Sequence, residues 1–378
     1  MKLFKKKHEI PENETEQFYN IIPLLECGAD INIAFGERSN GKTFAFKEIA
    51  VKEYFATGAE SAIIRRYTED FRGRNGRTLF DDLVQNETRG NLIEQYSGGK
   101  FNTVVFESMA WYMARYDEET GKPIKAPSPF CTAFSLASAE HYKSTSYPRI
   151  KHICFDEMIT HDRYLDDEFV TFLSILSTII RNRGDVKVYM FGNTVNKFSC
   201  PYWAEFGLTH IKGMKQDEIH LYDWGESRAK IAVEYTGSRG GKLSDKFFAF
   251  DNPRLRMITS GEWEFEAHPH CPVKFRKENI IFNYFIEYDE EMLQCDVVRK
   301  DNNYFTFIHR KTTPIKDENA DLIYSLRFDP RPNYKRNIAA PRTKAERRIY
   351  EFFARDKVFY QDNEVGEIVA EYLKYCTA

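Results

Sequence analysis

Apolar residues in the first two hundred positions follow two patterns. Short apolar runs are typical of buried strands, and apolar residues spaced three or four apart are typical of helices that bury one face. The pattern predicts strands at 31–35, 61–64, 149–155 and 186–191, and helices at 43–55 and 166–182. Because the strands alternate with helices, we expect an α/β fold built on a mainly parallel sheet.

The pattern changes after about residue 211. Shorter mixed segments continue to 275 and predict a linker region. Strand-like runs at 281–288, 293–299 and 303–310, separated by turn-prone residues, then predict a hairpin sheet. Helices are expected at 343–354, where Thr343 and Glu346 form a capping-box pattern, and at 364–375. We therefore predict a first domain at 1–210, a linker region at 211–275 and a smaller C-terminal α/β domain at 276–378.

Composition narrows the class of protein. The chain has 378 residues, of which 42% are hydrophobic and 15% aromatic, whereas disordered chains are poor in aromatic residues. A net charge of -3 excludes a uniformly basic surface, so any contact with nucleic acid must be local. No segment of the sequence contains the roughly eighteen consecutive apolar residues that indicate a membrane-spanning helix. The seven scattered cysteines have no paired spacing and favour reduced thiols. We expect a folded, soluble, cytosolic protein without membrane contact.

The strongest motif is a glycine-rich loop at 36–43, GERSNGKT, which matches G-x-x-x-x-G-K-[ST] between a predicted strand and a predicted helix. Its glycines allow backbone N–H groups to turn inward around phosphate at the positive end of the helix. Lys42 is expected to reach the β- and γ-phosphates, and the Thr43 hydroxyl is expected to bind Mg²⁺. The alternative is a glycine-rich turn that fits the motif by chance. The predicted phosphate-binding residues are Gly36, Arg38, Asn40, Gly41, Lys42 and Thr43.

Two acidic residues follow the predicted strand at 149–155. Asp156 is expected to hold Mg²⁺ through water, and Glu157 is expected to accept a proton from the attacking water. Acids at strand ends can instead be turn or cap residues, but the phosphate loop strengthens the catalytic interpretation. Asn193 ends the next predicted strand and is a candidate to sense the γ-phosphate or to orient the water; a simple turn amide fits the sequence equally well.

The motifs favour ATP over GTP. A GTPase needs an N-K-x-D segment to recognise guanine, and the sequence NKFS at 196–199 lacks the aspartate. A glutamate directly after the Mg²⁺ aspartate fits the P-loop ATPases that have an extra strand between the phosphate-loop strand and the acidic strand. We therefore predict an ATPase of this class with ATP and Mg²⁺ as its ligands.

Three segments resemble the large terminase ATPases of tailed bacteriophages. Arg38 occupies the third position of the phosphate loop, as it does in that group. The sequence IIRRY at 63–67 resembles the strand followed by basic residues, and FSLASAEHYKS at 134–144 resembles the polar segment that leads into the acidic strand. For a chain this short, the resemblance is greatest to the DNA encapsidation proteins of small protein-primed tailed bacteriophages, over about residues 30–200.

The resemblance implies a homomeric ring, with five subunits as the expected number. This ring would dock on the portal, or connector, of a prohead and translocate double-stranded DNA into it. A structural packaging RNA is a further partner that the resemblance leaves open. The protein would lie in the host cytoplasm and, transiently, at the portal vertex.

The resemblance also implies residues that complete each site from a neighbouring subunit. Arg181 and Arg183, at the end of the helix predicted at 166–182, are candidates for an arginine finger, which stabilises the charge that develops on the γ-phosphate. Lys143 is a second candidate. A basic helix end that offsets the helix dipole is an equally compatible role for either arginine alone.

The C-terminal domain is expected, by the same resemblance, to be RNase H-like and to have lost nuclease activity. Four acidic residues lie in or beside its predicted strands: Glu287, Asp289, Asp296 and Asp321. Two-metal cleavage requires carboxylates that converge, and no spacing in the sequence demonstrates this. For the DNA, the basic loop at 71–77 and the loop at 121–125 are candidate phosphate contacts, and either can also be an ordinary solvated loop.

Two other functions are compatible with the motifs. A RecA-like helicase or translocase that acts on single strands shares every nucleotide motif. A non-catalytic, portal-associated assembly protein with a relict phosphate loop is a different class, and the intact Lys42, Thr43, Asp156 and Glu157 argue against it.

Overall fold

The computed structural model describes residues 4–7, 19–36, 40–117, 119–160, 164–193, 200–208, 210–224, 229–237, 268–288, 291–301 and 303–376. The chain divides into two compact units. The first comprises Met1–Val195 and Pro201–Glu262, and the second comprises Asn196–Cys200 and Trp263–Ala378. Every helix in the described ranges is too short or too polar to cross a lipid bilayer.

A large mixed sheet forms the centre of the first unit. The described part of the chain contributes eleven strands to it. They are β1 Phe4–Lys7, β2 Ile31–Gly36, β3 Glu60–Arg65, β4 Thr103–Glu107, β5 Ala110–Tyr116, β6 Pro123–Lys125, β7 Cys131–Ser135, β8 Ile150–Phe155, β9 Lys187–Asn193, β10 Glu218–Trp224 and β11 Ala229–Thr236.

The middle of this sheet is parallel. The strands follow one another in the order β11, β2, β9, β8, β3 and β7, and each neighbouring pair in this series is parallel. Antiparallel strands extend the sheet on both sides, with β10 and β1 beyond β11, and β5 and β4 beyond β7; β6 pairs with β5. Every residue of β2 is buried, as expected for a parallel strand covered on both faces. The predicted α/β fold with a mainly parallel sheet is confirmed.

Strand β9 lies between the two strands that carry the main motifs. It pairs with β2, which leads into the phosphate loop, and with β8, which leads into the acidic pair. The extra strand predicted from the adjacent aspartate and glutamate is therefore present.

The first sheet extends further along the chain than predicted. Strands β10 and β11 lie within 211–275, the predicted linker region, yet β11 pairs with β2 and β10 pairs with β11. The predicted end of the first domain at 210 is therefore wrong for these two strands. The physical reason is that β11 finds its partner about two hundred positions upstream, where no local pattern can indicate it.

Helices pack against the first sheet. Helix α2 spans Lys42–Thr57 and helix α6 spans Glu168–Ile180, close to the two stretches predicted as helical. Phe46 and Ala50 of α2 are fully buried in the core. Gly58 directly follows α2, and its left-handed φ of 76° is common where a helix stops. The α-helices of this unit in the described ranges are α1 Ile22–Leu25, α2 Lys42–Thr57, α3 Arg74–Arg77, α4 Asp81–Val84, α5 Leu92–Tyr96, α6 Glu168–Ile180 and α7 Pro201–Glu205.

The second unit has its own sheet and its own core. Strands β12 Ile280–Tyr288, β13 Glu291–Lys300 and β14 Asn303–Arg310 form an antiparallel meander, close to the predicted boundaries. Strands β15 Ile323–Ser325 and β16 Tyr334–Lys335 continue the sheet in parallel beyond β12, and β17 Val358–Tyr360 runs parallel to β14. Helices α8 Lys344–Ala354 and α9 Asn363–Lys374 match the two predicted helices.

The start of α8 differs in one detail from the capping box that the sequence predicts. The Thr343 hydroxyl accepts a hydrogen bond from the Glu346 N–H at 3.2 Å, as predicted. The Glu346 carboxylate, however, accepts from the Arg342 N–H at 2.7 Å. A capping box would instead place this second hydrogen bond on the N–H of the cap residue itself. The pair therefore still satisfies two backbone donors at the start of the helix.

Candidate nucleotide site

The candidate site lies at the carboxyl edge of the parallel strands. Strand β2 ends at Gly36, which is in register with Asn193 at the end of β9. Strand β8 ends directly before Asp156 and Glu157, and the neighbouring strand β3 ends at Arg65. Ligands of open parallel sheets bind at this edge. Four strand ends thus bring the acidic pair, Asn193 and the described ends of the phosphate loop into one region.

The described ends of the phosphate loop both require glycine. Gly41 has a left-handed φ of 95°, and α2 begins at the next residue, Lys42. A Cβ atom on Gly36 would lie 2.0 Å from the Oγ1 atom of Thr236, so a side chain has no room there. Arg38 lies outside the described residues. The loop therefore leads into a helix N-terminus, which favours a bound anion.

Lys42 is buried against the loop that it belongs to. Its Nζ donates to Asn40 Oδ1 at 3.1 Å and to the Gly36 carbonyl at 3.5 Å. The Asn40 side-chain amide donates to Thr236 Oγ1 at 2.9 Å. Asn40 thus helps to orient the lysine, and Thr236 connects the loop to the end of β11.

Thr43 and Asp156 lie together, as a Mg²⁺ site requires. The Thr43 hydroxyl donates to Asp156 Oδ1 at 2.9 Å, and Arg65 Nη2 donates to Asp156 Oδ2 at 2.7 Å. Burial alone would lower the pKa of Arg65. The attraction and hydrogen bond of the Asp156 carboxylate have the larger effect, so the pKa of Arg65 is raised overall. A hydroxyl and a carboxylate are oxygen ligands of the kind that Mg²⁺ prefers, so the residues present fit this ion.

Glu157 occupies an unusual backbone conformation directly after β8. Its φ is 62°, a left-handed value that is uncommon for a residue with a side chain. The residue is exposed, and it lines the same cavity as Asn193, which is partly buried at the end of β9. Both candidates for handling the attacking water therefore reach the cavity that contains Lys42.

One cavity joins these groups. Its volume is 450 Å³, within the roughly 300–1,000 Å³ that small-molecule pockets occupy. Cationic and anionic side chains both line it, as expected for a site that holds phosphate together with a metal ion. The lining residues are Asn40, Gly41, Lys42, Thr43, Phe44, Lys47, Arg65, Asp82, Asn86, Asp156, Glu157, Phe191 and Asn193.

Two charged residues of this cavity, Lys47 and Asp82, lie outside the recognised sequence motifs. Lys47 Nζ donates to Asp82 Oδ2 at 2.5 Å and to the Leu79 carbonyl at 2.7 Å. Lys47 lies four residues after Thr43 on α2, and this spacing is the signal that could have placed it beside the site. Asp82 lies on the short helix α4, which no pattern predicted.

The candidates for trans-acting residues do not line this cavity. Arg183 donates to five backbone carbonyls at 2.7 to 3.3 Å, among them those of Pro148 and Ile150, and these contacts favour the helix-end role that the sequence left open. Arg181 is exposed and donates to the Thr145 carbonyl at 3.1 Å. Lys143 is also exposed and pairs with Glu140. A residue that acts on a neighbouring subunit needs no contact with its own cavity.

The acidic residues of the second unit do not form a metal site in its described part. Asp296 accepts hydrogen bonds from Asn283 at 2.5 Å and Gln294 at 2.7 Å, and its other oxygen lies 3.3 Å from His309 Nε2. Burial raises the pKa of Asp296, but the His309 and Gln294 hydrogen bonds lower it more, so the net shift is downward. Glu287 lies 3.7 Å from Arg327. No group of three or more potential metal ligands occurs among the described residues, and Asp289 is not one of these.

Known proteins resemble this chain in sequence and in fold. A family model described as Podovirus DNA encapsidation protein matches residues 130–223, which include Asp156, Glu157 and Asn193. The DNA packaging proteins of Bacillus phage PZA and Bacillus phage phi29 are each 24% identical over 194 residues, which is 50% of this chain and 50% of each relative. The matched region therefore spans about half the length of these curated relatives.

Two solved structures share the fold across nearly the whole chain. The Phi-28 gp11 DNA packaging motor has a TM-score of 0.53 at 18% identity, and covers 96% of this chain and 99% of its own. The bacteriophage Phi-29 viral genome packaging motor assembly has a TM-score of 0.58 at 17% identity, with coverage of 95% and 99%. At these identities the matches show a shared fold.

The strand order and the residues at the carboxyl edge define an α/β protein of the P-loop nucleotide-binding class. Within that class, the family model and the sequence relatives confirm the resemblance to the DNA encapsidation proteins of tailed bacteriophages.

Proposed function

We propose that this protein is an ATPase that drives double-stranded DNA into a viral prohead. The observation that carries the proposal is the juxtaposition of Lys42, Thr43, Asp156 and Glu157 on one cavity, at the edge of a sheet with an extra strand between β2 and β8. The resemblance to DNA packaging proteins supplies the substrate class.

Each side chain has a distinct role in the proposed hydrolysis. Lys42 and the N–H groups at the start of α2 bind the β- and γ-phosphates, and Thr43 and Asp156 hold Mg²⁺. The metal ion, when bound, offsets the negative charge of the phosphates. Glu157 accepts a proton from the attacking water, and Asn193 orients that water or senses the γ-phosphate.

The wider assembly is proposed from the resemblance. The protein would form a homomeric ring, with five subunits as the expected number, on the portal of a prohead in the host cytoplasm. A structural packaging RNA is a candidate additional component. In the loop at 71–77, buried Phe71 and Gly76 anchor the backbone while Arg72, Arg74 and Arg77 are exposed, which supports a local contact with DNA phosphates.

The second unit is proposed to be an RNase H-like domain without nuclease activity. The fold assignment is supported by the sheet order. Strands β12, β13 and β14 form an antiparallel meander, and β15 and β16 extend the sheet in parallel beyond β12. The loss of activity is supported by the amide and imidazole partners of Asp296, which occupy the oxygens that a catalytic metal ion would need.

The choice of nucleic acid tests the proposed function. We expect ATP hydrolysis to rise with duplex DNA in the presence of proheads, because translocation and hydrolysis are coupled in a motor. A helicase would respond to single strands and separate a labelled duplex. Stimulation by single strands alone would overturn the proposal, and a complete lack of hydrolysis under all conditions would favour the non-catalytic assembly protein.

Catalysis completed across subunits gives a separate prediction. Arg181→Ala protein should be inactive alone, and its mixture with Lys42→Ala protein should regain part of the ATPase rate, because one subunit supplies an intact cavity and its neighbour an intact arginine. Lys143→Ala should behave in the same way if Lys143 is the trans-acting group. Arg183→Ala is the comparison variant. Because it loses the hydrogen bonds of Arg183 to backbone carbonyls, we expect lower thermal stability and no recovery of the ATPase rate on mixing with Lys42→Ala protein.

The ATPase rate should be measured against mixing ratio with proheads and duplex DNA. Native mass spectrometry should first establish that mixed rings form. Rescue with Arg183→Ala would identify Arg183 as the finger. Rates near zero at every ratio for all three variants would contradict catalysis in trans.

A further inference from the structure

The peptide that carries Glu157 is held on both sides. Its left-handed φ of 62° places the residue in a tight turn after β8. The Asp156 N–H donates to the Ile64 carbonyl at 3.0 Å, and the Met158 N–H donates to the Phe191 carbonyl at 2.8 Å. The turn is thereby attached to β3 and to β9, the two strands beside β8.

The carbonyl groups of the same turn face one guanidinium. Arg66 Nη1 donates to the Glu157 carbonyl at 2.8 Å, and Arg66 Nη2 donates to the Met158 carbonyl at 2.8 Å. Arg66 is buried, and it is not among the described residues that line the cavity. It therefore contacts the backbone of the turn rather than the nucleotide.

A buried carboxylate fixes the orientation of this guanidinium. Glu168, in the first turn of α6, accepts from Arg66 Nε and Nη2 at 2.8 Å each. The Tyr202 hydroxyl and the Leu165 N–H also donate to Glu168, each at 2.9 Å. The planar guanidinium presents its donors as a rigid fork, so the Glu168 pairing determines where the remaining donors point; a lysine ammonium cannot reproduce this geometry.

We propose that Arg66 and Glu168 form a positioning pair for Glu157. The pair holds the two carbonyls of the turn, and thereby keeps the Glu157 carboxylate at the cavity in a backbone conformation that the residue rarely adopts by itself. Neither residue is a catalytic residue, because neither touches the reacting atoms. The inference rests on the proposed role of Glu157 as the base in ATP hydrolysis.

Glu168→Gln and Arg66→Lys test the pair in the full-length protein. Each should lower kcat by about tenfold to a hundredfold, because small displacements of a catalytic group have effects of this size. The affinity for ATP, measured by calorimetry, should stay near that of the wild type, since Lys42 and Thr43 are untouched. Glu60→Gln is the matched control: it removes a buried carboxylate paired with Arg149 at the opposite end of β3 and should leave kcat unchanged.

Two further measurements separate positioning from general stability. In single-turnover experiments, adding Glu168→Gln to Glu157→Gln should cause no further loss, because the pair acts only through Glu157. Hydrogen exchange at the amides of Asp156 and Met158 should be faster in Glu168→Gln than in wild type and unchanged in Glu60→Gln. Arg66→Lys provides the same comparisons if Glu168→Gln does not fold.

The possible outcomes distinguish this inference from the proposed function. Wild-type kcat in a folded Glu168→Gln or Arg66→Lys variant would overturn the positioning role. A further loss of rate when Glu168→Gln is added to Glu157→Gln would also overturn it, as would unchanged hydrogen exchange at the amides of Asp156 and Met158. Failure of the proposed function is seen without these variants, as an absence of hydrolysis by the wild type or as full activity of Glu157→Gln.

Discussion

Glu157→Gln is expected to lower kcat for ATP hydrolysis by about 10²- to 10⁴-fold, the contribution typical of a general base. Glutamine has nearly the same shape but cannot take a proton from water. The side chain is exposed at the cavity and the backbone contacts of the turn do not depend on the carboxylate, so the fold should persist. ATP should still bind, and the proposed ring, with ATP bound, should remain on duplex DNA.

The ATPase rate and the ATP affinity of Glu157→Gln should be measured together. Glu205→Gln, which alters an exposed glutamate at the end of α7 that is not among the cavity residues, is the matched control and should keep wild-type values. A near-normal rate in Glu157→Gln would show that another residue activates the water.

Lys42→Ala is expected to weaken ATP binding by about tenfold to more than a hundredfold. A hydrogen bond to a charged group contributes about 1.5–3 kcal/mol, and each 1.4 kcal/mol corresponds to about a factor of ten in affinity. The substitution also removes the donor that Asn40 Oδ1 and the Gly36 carbonyl share, although water can replace it at the cavity. Turnover should fall together with binding.

Calorimetry with ATP tests Lys42→Ala, and circular dichroism establishes that the variant is folded. Lys52→Ala changes an exposed lysine on the same helix, paired with Glu48, and should bind ATP as the wild type does. Unchanged affinity in folded Lys42→Ala protein would refute the phosphate-loop assignment. Together with Glu157→Gln, this variant separates loss of binding from loss of chemistry.

The elements that carry the site could be predicted because their signals are local. Strand β2, helix α2, strand β8 and strand β9 each contain an apolar pattern that neighbouring residues determine, and the predicted boundaries agree with the structure to within about three residues. The glycine motif was enough to predict Lys42 and Thr43 as site residues. The position of Asp156 and Glu157 directly after a predicted strand was enough to predict them at the same edge of the sheet. The short strands at 103–135 and the strands β10 and β11 were not predicted, because their partners and their burial come from distant parts of the chain.

The sequence by itself determined the class of fold, the nucleotide motif and the resemblance to a viral packaging protein. Only the tertiary structure decided which groups surround those motifs. The Oγ1 atom of Thr236 occupies the space beside Gly36, and Glu168 reaches Arg66 across 102 positions of sequence to hold the turn of Glu157. The reason is physical: helices and strands follow from spacing along the chain, whereas a contact between distant side chains exists only after the sheet has paired in register.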